Sequence, residues 1–277
     1  MSAVLALYRT YFGVAGTVAP GYAARAGARL FLTPAPRSGP SQWGDLAGTA
    51  TPVSLSHKGI PLPAWRWGTG PRVLLCHSWG GRASYLSRFV QPLVDAGYEV
   101  VAFDGPAHGR HPAKRTNLLE FATLLVDIER ELGGVHAMVG HSFGASSILY
   151  ALRLGASPER VALLAPFANS DVNVARFART LGFGDRLHGA VRARLLEFFA
   201  DNAEGWHLGK VAGSLETPAL LVHDENDDQI PYAESEELVA AWPDAELLTT
   251  QGLGHWRIIK DEAVVRAVVT FVTSSSS

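Results

Sequence analysis

A serine lies at the centre of the pentapeptide Gly140-His141-Ser142-Phe143-Gly144, between an apolar run and a run with helical spacing. A strand that turns sharply into a helix at this spacing holds a serine hydroxyl away from the backbone, where it can attack a carbonyl. Glycines at both ends leave room for the helix and the strand to pass closely. We therefore predict that Ser142 is a nucleophile. The alternative is an ordinary strand-to-helix turn without chemistry.

A second glycine-containing turn follows the apolar run at residues 73–76 and reads His77-Ser78-Trp79-Gly80-Gly81. Acyl transfer places negative charge on the carbonyl oxygen, and backbone N–H groups stabilise that charge well because they are already fixed in place. We assign this role to the amides of Trp79 and Phe143, the latter being the residue after the serine. His77 lies too early in the chain to be the base, so we predict that it braces the loop. The alternative is a turn that binds no ligand.

Two later strands end in loops that carry an acid and a base. The run at residues 219–222 is followed by four acidic side chains, namely Asp224, Glu225, Asp227 and Asp228. One of them is a candidate for the carboxylate that orients the base. The alternatives are that these side chains form a solvated acidic loop or bind a metal ion. Metal binding is disfavoured because the residue spacing of a calcium-binding loop is missing. The run at residues 247–250 leads through two glycines to His255, which we predict to be the general base.

The order of serine, acidic loop and histidine along the chain resembles that of α/β-hydrolases. The resemblance covers about residues 53–273 and includes the pattern Asp-x-x-hydrophobic-Pro at residues 227–231. It implies that Asp227 is the triad carboxylate, with Asp224 and Asp228 as weaker candidates. The N-terminal helical extension and the Gly-Leu-Gly-His segment resemble a group of small bacterial α/β-hydrolases of unassigned substrate. A serine nucleophile excludes the dehalogenase and epoxide-hydrolase reactions of this fold, which require an aspartate at that position.

The chain departs from the resemblance at two positions. Ser78 stands where the oxyanion loop of the family usually has glycine, and Arg110 follows Gly109 where the family often has serine. A side chain at position 78 would shift the loop if that position needs a positive φ. We expect φ to be negative there and the Ser78 hydroxyl to brace the loop.

The elements that position these residues follow from the hydrophobic pattern. Apolar, β-branched runs suit central parallel strands buried on both faces, and they lie at residues 72–76, 98–103, 135–139, 161–165, 219–222 and 246–249. A hairpin around Gly59 is predicted to pair residues 53–57 with residues 64–67. Helical patterns between the strands imply right-handed crossovers. We predict an α/β-hydrolase fold, with a mostly parallel central sheet, helices on both faces and a helical lid insertion, and with the site at the carboxyl edge.

Three segments are expected from this pattern. Residues 1–52 form an N-terminal helical extension and a connector, with two helices over residues 3–32 broken near Pro20. Residues 53–167 and 214–273 form the core, and residues 168–213 form the helical lid. The candidate substrate-binding residues are aromatic, and the alternative for those in the lid is packing within the lid itself; they are Trp256, Phe167, Phe177 and Phe183.

Charged and apolar patches suggest few further partners. Five arginines of the predicted lid either attract a carboxylate-bearing substrate or form a solvated face; they are Arg176, Arg179, Arg186, Arg192 and Arg194. A formal net charge of −2 does not indicate nucleic acid or an anionic membrane as a partner.

The apolar runs of the predicted N-terminal helices are too short to span a bilayer. We expect them to pack on the core or on a second copy in a homodimer, with a membrane surface as the alternative.

Composition agrees with a single large α/β domain, since 277 residues with 47% hydrophobic residues are enough for one core and an insertion. The single cysteine excludes an internal disulfide and is compatible with a cytoplasmic location. No metal or organic cofactor is implied. The sequence thus predicts a serine hydrolase that cleaves an ester or thioester of a small-molecule acyl substrate. Amide, lactone or carbon–carbon bond hydrolysis by the same triad, and a non-catalytic binding protein of the same fold, remain as alternatives.

Overall fold

A computed structural model describes residues 3–35, 41–199 and 203–274 of the chain. Parts of the predicted connector, of the predicted lid and of the serine-rich end lie outside the described residues, at 36–40, 200–202 and 275–277. Among the described residues, no helix is both long and apolar enough to cross a bilayer.

Ten strands are described: β1 Thr51–Pro52, β2 Leu55–His57, β3 Ile60–Leu62, β4 Ala64–Trp67, β5 Arg72–Cys76, β6 Glu99–Phe103, β7 Ala137–His141, β8 Arg160–Leu164, β9 Ala219–Asp224 and β10 Ala245–Thr250. Eight of them form one sheet in the order β1-β4-β6-β5-β7-β8-β9-β10. The last six in that order run parallel to one another, and β4 is antiparallel to both of its neighbours. The predicted mostly parallel sheet is confirmed.

Twelve α-helices are described: α1 Ala3–Val18, α2 Pro20–Phe31, α3 Leu46–Thr49, α4 Ser87–Asp95, α5 Leu118–Leu132, α6 Phe143–Arg153, α7 Ser170–Leu181, α8 Asp185–Leu196, α9 Gly209–Ala212, α10 Ala233–Ala241, α11 Gly254–Arg257 and α12 Glu262–Thr273. One hydrophobic cluster contains residues of α5 and α6 and the other contains residues of α4 and α12. Each cluster takes alternate side chains of the central strands, because successive strand residues point to opposite faces. Helices therefore cover both faces of the sheet, as predicted.

The first hairpin differs from the prediction. Strand β2 pairs with β3 rather than with β4, and both residues of the turn, Lys58 and Gly59, have positive φ, at 51° and 76°. Two consecutive positive φ values are typical of the tight hairpin turn whose twist matches its strands. The turn thus closes within two residues, and β4 is left to pair with β6 in the main sheet.

The two N-terminal helices pack against the helices that lie between β8 and β9. Gly27 is buried on α2, and a Cβ there would lie 2.8 Å from Val191 Cγ2 on α8, so a small residue is what lets these helices approach. The rings of Phe12 on α1 and Phe183 lie 4.7 Å apart. The break between α1 and α2 falls at Ala19, directly before a proline at the first helical position.

Candidate active site

Ser142 lies between β7 and α6 with φ 53° and ψ −116°, a backbone conformation that only a strongly constrained non-glycine residue keeps. Its amide donates a hydrogen bond to Leu164 O on the neighbouring strand at 2.8 Å, and its carbonyl accepts one from Ser146 N at 3.0 Å. The strained turn is therefore held from the sheet side and from the helix side. Strain of this kind clusters at functional sites.

The two glycines beside the serine are sterically required. A Cβ at Gly140 would lie 2.6 Å from Ile148 Cδ1, and a Cβ at Gly144 would lie 2.4 Å from Cys76 O and 2.5 Å from His77 O. Helix α6 thus starts directly against the strand that leads into the His77 loop. That contact brings the serine turn and the predicted oxyanion loop together.

Asp227 and His255 form a buried pair, with Asp227 Oδ2 at 2.6 Å from His255 Nδ1. The other carboxylate oxygen, Oδ1, accepts the amides of Gln229 and Ile230 at 2.7 Å and 2.9 Å, and His223 Nε2 lies 3.5 Å from Oδ2. Burial alone would raise the pKa of Asp227. Hydrogen bonds from His223, His255 and the Ile230 amide, with the charge of His255, outweigh burial and hold the pKa well below its ordinary value.

Asp224, a weaker candidate for the carboxylate, has a different place. Its Oδ2 accepts hydrogen bonds from Thr250 Oγ1 at 2.8 Å and from the Leu253 amide at 2.9 Å. Both donors belong to the segment that leads to His255, so Asp224 holds the loop that carries His255. Asp228 is exposed. The structure thus brings Asp227, and neither of its neighbours, to the histidine ring.

His255 reaches the serine turn through His141. The Nε2 atom of His141 donates to His255 O at 2.8 Å, since a carbonyl can only accept, and the two rings lie 4.8 Å apart. Among the described residues, no hydrogen bond joins Ser142 Oγ to the His255 ring. Such catalytic hydrogen bonds often form only when substrate is bound.

The two predicted oxyanion donors lie side by side. The rings of Trp79 and Phe143 meet edge to face at 4.9 Å, and both residues line the same cavity as Ser142. Within the described ranges, neither amide donates a hydrogen bond to another residue. Gly80 has φ 68°, and a Cβ there would lie 2.7 Å from Ala35 O, so this turn requires glycine.

His77 and Asp104 tie the oxyanion loop to the loop that follows β6. Since the Gly105 amide donates to His77 Nε2 at 3.1 Å, the proton lies on Nδ1, which donates to Ser78 O at 2.9 Å. Asp104 Oδ1 accepts the Ala83 amide at 2.8 Å. The bracing role that the sequence predicts for His77 agrees with this geometry.

Below this loop, His108 is buried with its Nδ1 at 2.8 Å from Pro106 O. Its ring lies 4.8 Å from His77 and 5.4 Å from Trp79. Burial, with the neighbouring His77 ring, lowers the pKa of His108 to about 3. A neutral imidazole therefore supports the loop that carries Trp79.

The Ser78 prediction is half confirmed. Ser78 is not one of the described non-glycine residues with positive φ, so its backbone is unstrained. The expected bracing role of the side chain is wrong: Ser78 Oγ is buried and has no hydrogen-bond partner among the described residues. The loop is held by its backbone and by His77.

A cavity of about 460 Å³ contains Ser142 and both oxyanion candidates. Two of the four predicted substrate-binding residues, Phe167 and Phe177, line it. The other two lie outside its lining. The ring of Phe183 packs on Phe177 and on Phe12 of α1, and the ring of Trp256 lies 5.3 Å from that of His255. Neither Phe183 nor Trp256 lines this cavity, and the predicted contact of each with substrate stays a prediction.

Helices α1, α2, α7 and α8 cover this cavity, and we call them the helical roof. Tyr8, Phe31 and Leu32 form an N-terminal wall of the cavity that the sequence pattern does not predict. The sequence also does not distinguish Arg176 from the four other arginines of the predicted lid. The helical face shared by Asn173, Phe177 and Thr180 was the available signal, since residues three and four apart lie on one side of a helix.

Among the described residues, no group of three His, Cys, Asp or Glu side chains is placed to hold a metal ion. The family model described as the alpha/beta hydrolase family matches residues 73–267. A non-heme chloroperoxidase from Kitasatospora aureofaciens is 23% identical to this chain, in a match that covers 74% of this chain and 92% of that protein.

Solved structures show the same fold. A monoacylglycerol lipase from Paleococcus ferrophilus has a TM-score of 0.61 at 24% identity, covering 78% of this chain and 99% of that one. An esterase from Pyrococcus furiosus has a TM-score of 0.64 at 20% identity, covering 87% and 95%.

Proposed function

The chain belongs to the alpha/beta hydrolase family, and from that premise we propose that it is a serine hydrolase that cleaves a carboxylic ester or thioester. Relatives of this fold include an esterase and a monoacylglycerol lipase, which makes ester hydrolysis a reasonable expectation. The observation that carries the proposal is the buried Asp227–His255 pair at 2.6 Å beside the strained turn of Ser142.

The proposed reaction has two halves. Ser142 Oγ attacks the carbonyl carbon while His255 Nε2 takes the hydroxyl proton, and the amides of Trp79 and Phe143 receive the oxyanion. His255 then protonates the leaving alcohol or thiol, and an acyl-enzyme remains. Water deprotonated by His255 attacks the acyl carbon, and Ser142 leaves with the proton returned to it. Asp227 keeps the histidine proton on Nδ1 and stabilises the imidazolium.

The helical roof gives this reaction its acyl pocket. We propose that the inserted helices α7 and α8, together with α1 and α2, act as a lid that shields the acyl-enzyme from bulk water. The cavity below is lined mainly by aromatic and aliphatic side chains with a few polar groups, which is typical of small-molecule sites.

Covalent labelling tests the nucleophile. A fluorophosphonate should label the protein once, and mass spectrometry should place the adduct on Ser142. Ser142→Ala should abolish labelling, whereas Ser170→Ala, which alters another serine lining the same cavity, should leave it intact. An adduct on another residue, with Ser142 unmodified, would refute the assignment.

Substrate profiling tests the reaction class. Matched oxyester, thioester, anilide, lactone and β-diketone substrates should separate the possibilities, and we expect turnover of the first two. Turnover confined to the β-diketone would replace ester hydrolysis by carbon–carbon bond cleavage on the same triad. A protein that binds these ligands and reacts with none of them would be a non-catalytic member of the fold.

A further inference from the structure

Arg176 lies where two cavities meet. It lines the catalytic cavity, and it also lines a neighbouring cleft of about 390 Å³ with Arg9, Arg179, Asp227 and Asp228. Among the described residues that line the catalytic cavity, Arg176 carries the only formal charge. A mainly apolar pocket with one cationic side chain is typical of a site that orients a ligand by one anionic group.

The arginines of the inserted helices differ in their partners. Arg192 is committed to Asp171, with two hydrogen bonds of 2.6 Å and 2.8 Å, and Arg194 lies 3.3 Å from Glu197. Arg176 donates from Nη1 to Gln229 Oε1 at 2.9 Å, and no carboxylate of the described residues lies within 4.0 Å of it. A guanidinium has five N–H donors, so most of its capacity is left for a ligand.

Arg176 is also partly buried, which lowers its pKa through desolvation, although the charges of Asp227 and Asp228 oppose this effect. An arginine remains protonated at any physiological pH. A half-buried cation without an ion pair is unfavourable on its own. An incoming carboxylate would supply the missing partner in a bidentate geometry.

Support of Asp227 is the competing explanation for Arg176. Asp227 already accepts hydrogen bonds on both oxygens, from His255 and from two backbone amides. Arg176 does not reach it within ion-pair distance, so the carboxylate does not depend on Arg176 for a partner. The position of Arg176 in the lining of the catalytic cavity is then better explained by substrate binding.

We propose that Arg176 binds a carboxylate on the substrate, and that the substrate is therefore an ester that carries a second, free carboxylate, such as the monoester of an aliphatic dicarboxylic acid. The proposal rests on the proposed hydrolase function. The ester carbonyl lies at Ser142, the apolar chain runs along Phe167 and Phe177, and the free carboxylate meets Arg176.

Paired substrates test this assignment. The p-nitrophenyl monoester of adipic acid and its neutral methyl ester differ in one charge at nearly the same size. Arg176→Gln should lower kcat/KM for the anionic substrate roughly 10- to 150-fold, the range of a charge-assisted hydrogen bond, and change the neutral one less than about 3-fold. Arg186→Gln, an exposed arginine on α8, should change neither. Equal losses on both substrates, or a wild-type preference for the neutral ester, would overturn the proposal.

A binding measurement separates this proposal from the hydrolase function. In the Ser142→Ala protein, calorimetry with the anionic monoester should give binding that Arg176→Gln weakens by the same factor. If wild-type protein consumes neither ester while this binding persists, the hydrolase function fails and the carboxylate site stands. If the protein hydrolyses the esters but Arg176→Gln does not weaken binding, the hydrolase function stands and only the carboxylate site is refuted.

Discussion

The carboxyl edge of the sheet and the helical roof enclose the same cavity with different interactions. At the edge, Ser142 and Asp227 lie on short turns held by backbone hydrogen bonds, and His255 lies on the short helix α11; each of these segments follows a strand of the sheet. In the roof, Phe31 and Phe177 meet through ring packing between helices far apart in the chain. The edge is specified locally, and the roof is specified by tertiary packing.

This difference separates chemistry from selectivity. A misplacement of the hydrogen-bonded edge should abolish the reaction, since catalysis requires groups already fixed in position. A change in the roof alters the shape of an apolar pocket, where a methylene group is worth only about 1–3 kcal/mol. We expect variants at the edge to change kcat and variants in the roof to change KM and chain-length preference.

The largest expected effect is that of Asp227→Asn. The amides of Gln229 and Ile230 need an acceptor at Oδ1, so the new NH₂ group must replace Oδ2 and face His255. It would hold the histidine in the wrong tautomer, for which losses of about 10⁴ in kcat are the known scale. The turnover number of the variant on an ester measures this effect, and an unchanged melting temperature shows that the variant is folded.

Asp224→Asn is the matched control for that variant. Its carboxylate holds the loop of His255 through Thr250 and Leu253, so the loss should fall on stability, by about 1–3 kcal/mol, and far less on kcat. A larger loss of turnover in Asp224→Asn than in Asp227→Asn would mean that the carboxylate is misassigned.

Below the edge, His108 should make the free energy of unfolding depend on pH. Its pKa is about 3 in the folded chain and about 6.5 in the unfolded chain, so the unfolded state binds more protons between these values. The contribution of neutral His108 to stability is complete above pH 6.5 and is lost as the pH falls toward 3.

His108→Asn tests this acid dependence. The Asn amide can replace the Nδ1 donor to Pro106 O but does not titrate. The slope of unfolding free energy against pH between 4 and 6 should fall by up to about 1.4 kcal/mol per pH unit, as measured by urea titration. An unchanged slope would show that His108 is not the group that takes up the proton.

A variant in the helical roof should behave differently from the variants at Asp227 and His108. Phe31→Ala removes the ring that meets Phe177 at 5.3 Å and should raise KM for long-chain esters about tenfold, with kcat for an acetate ester unchanged. Phe198→Ala is the control, since that ring is 53% exposed outside the cavity lining. Loss of kcat on the acetate ester in Phe31→Ala would show that the roof also positions the catalytic edge.

The same contrast explains what could be predicted from sequence. The β7–Ser142–α6 turn lies within a short continuous segment, so its signals are local, and the sheet follows from apolar runs with clear spacing. The pairing of Asp227 with His255 follows from the order of strands, because parallel strands end at one edge.

The remaining features depend on tertiary contacts. The exposure of each helical face decides which of five arginines meets the cavity, and the sequence shows only that all five lie on helices. The N-terminal wall depends on small residues such as Gly27 that let α2 approach α8. The partner of β2 depends on two positive φ values at Lys58 and Gly59, and lysine rarely signals such a turn.

The smallest expected effect tests whether the edge is uniformly constrained. The Ser78 hydroxyl is buried without a partner among the described residues, although it lies in the oxyanion loop. A buried hydroxyl without a hydrogen bond is unfavourable, so Ser78→Ala should raise stability by up to about 1 kcal/mol and leave kcat unchanged. Ser78→Gly should lose this gain through greater freedom of the unfolded chain. Melting temperature and ester turnover of the two variants measure both statements. A loss of turnover in Ser78→Ala would show that the hydroxyl acts on the oxyanion loop, and that even this position belongs to the hydrogen-bonded edge.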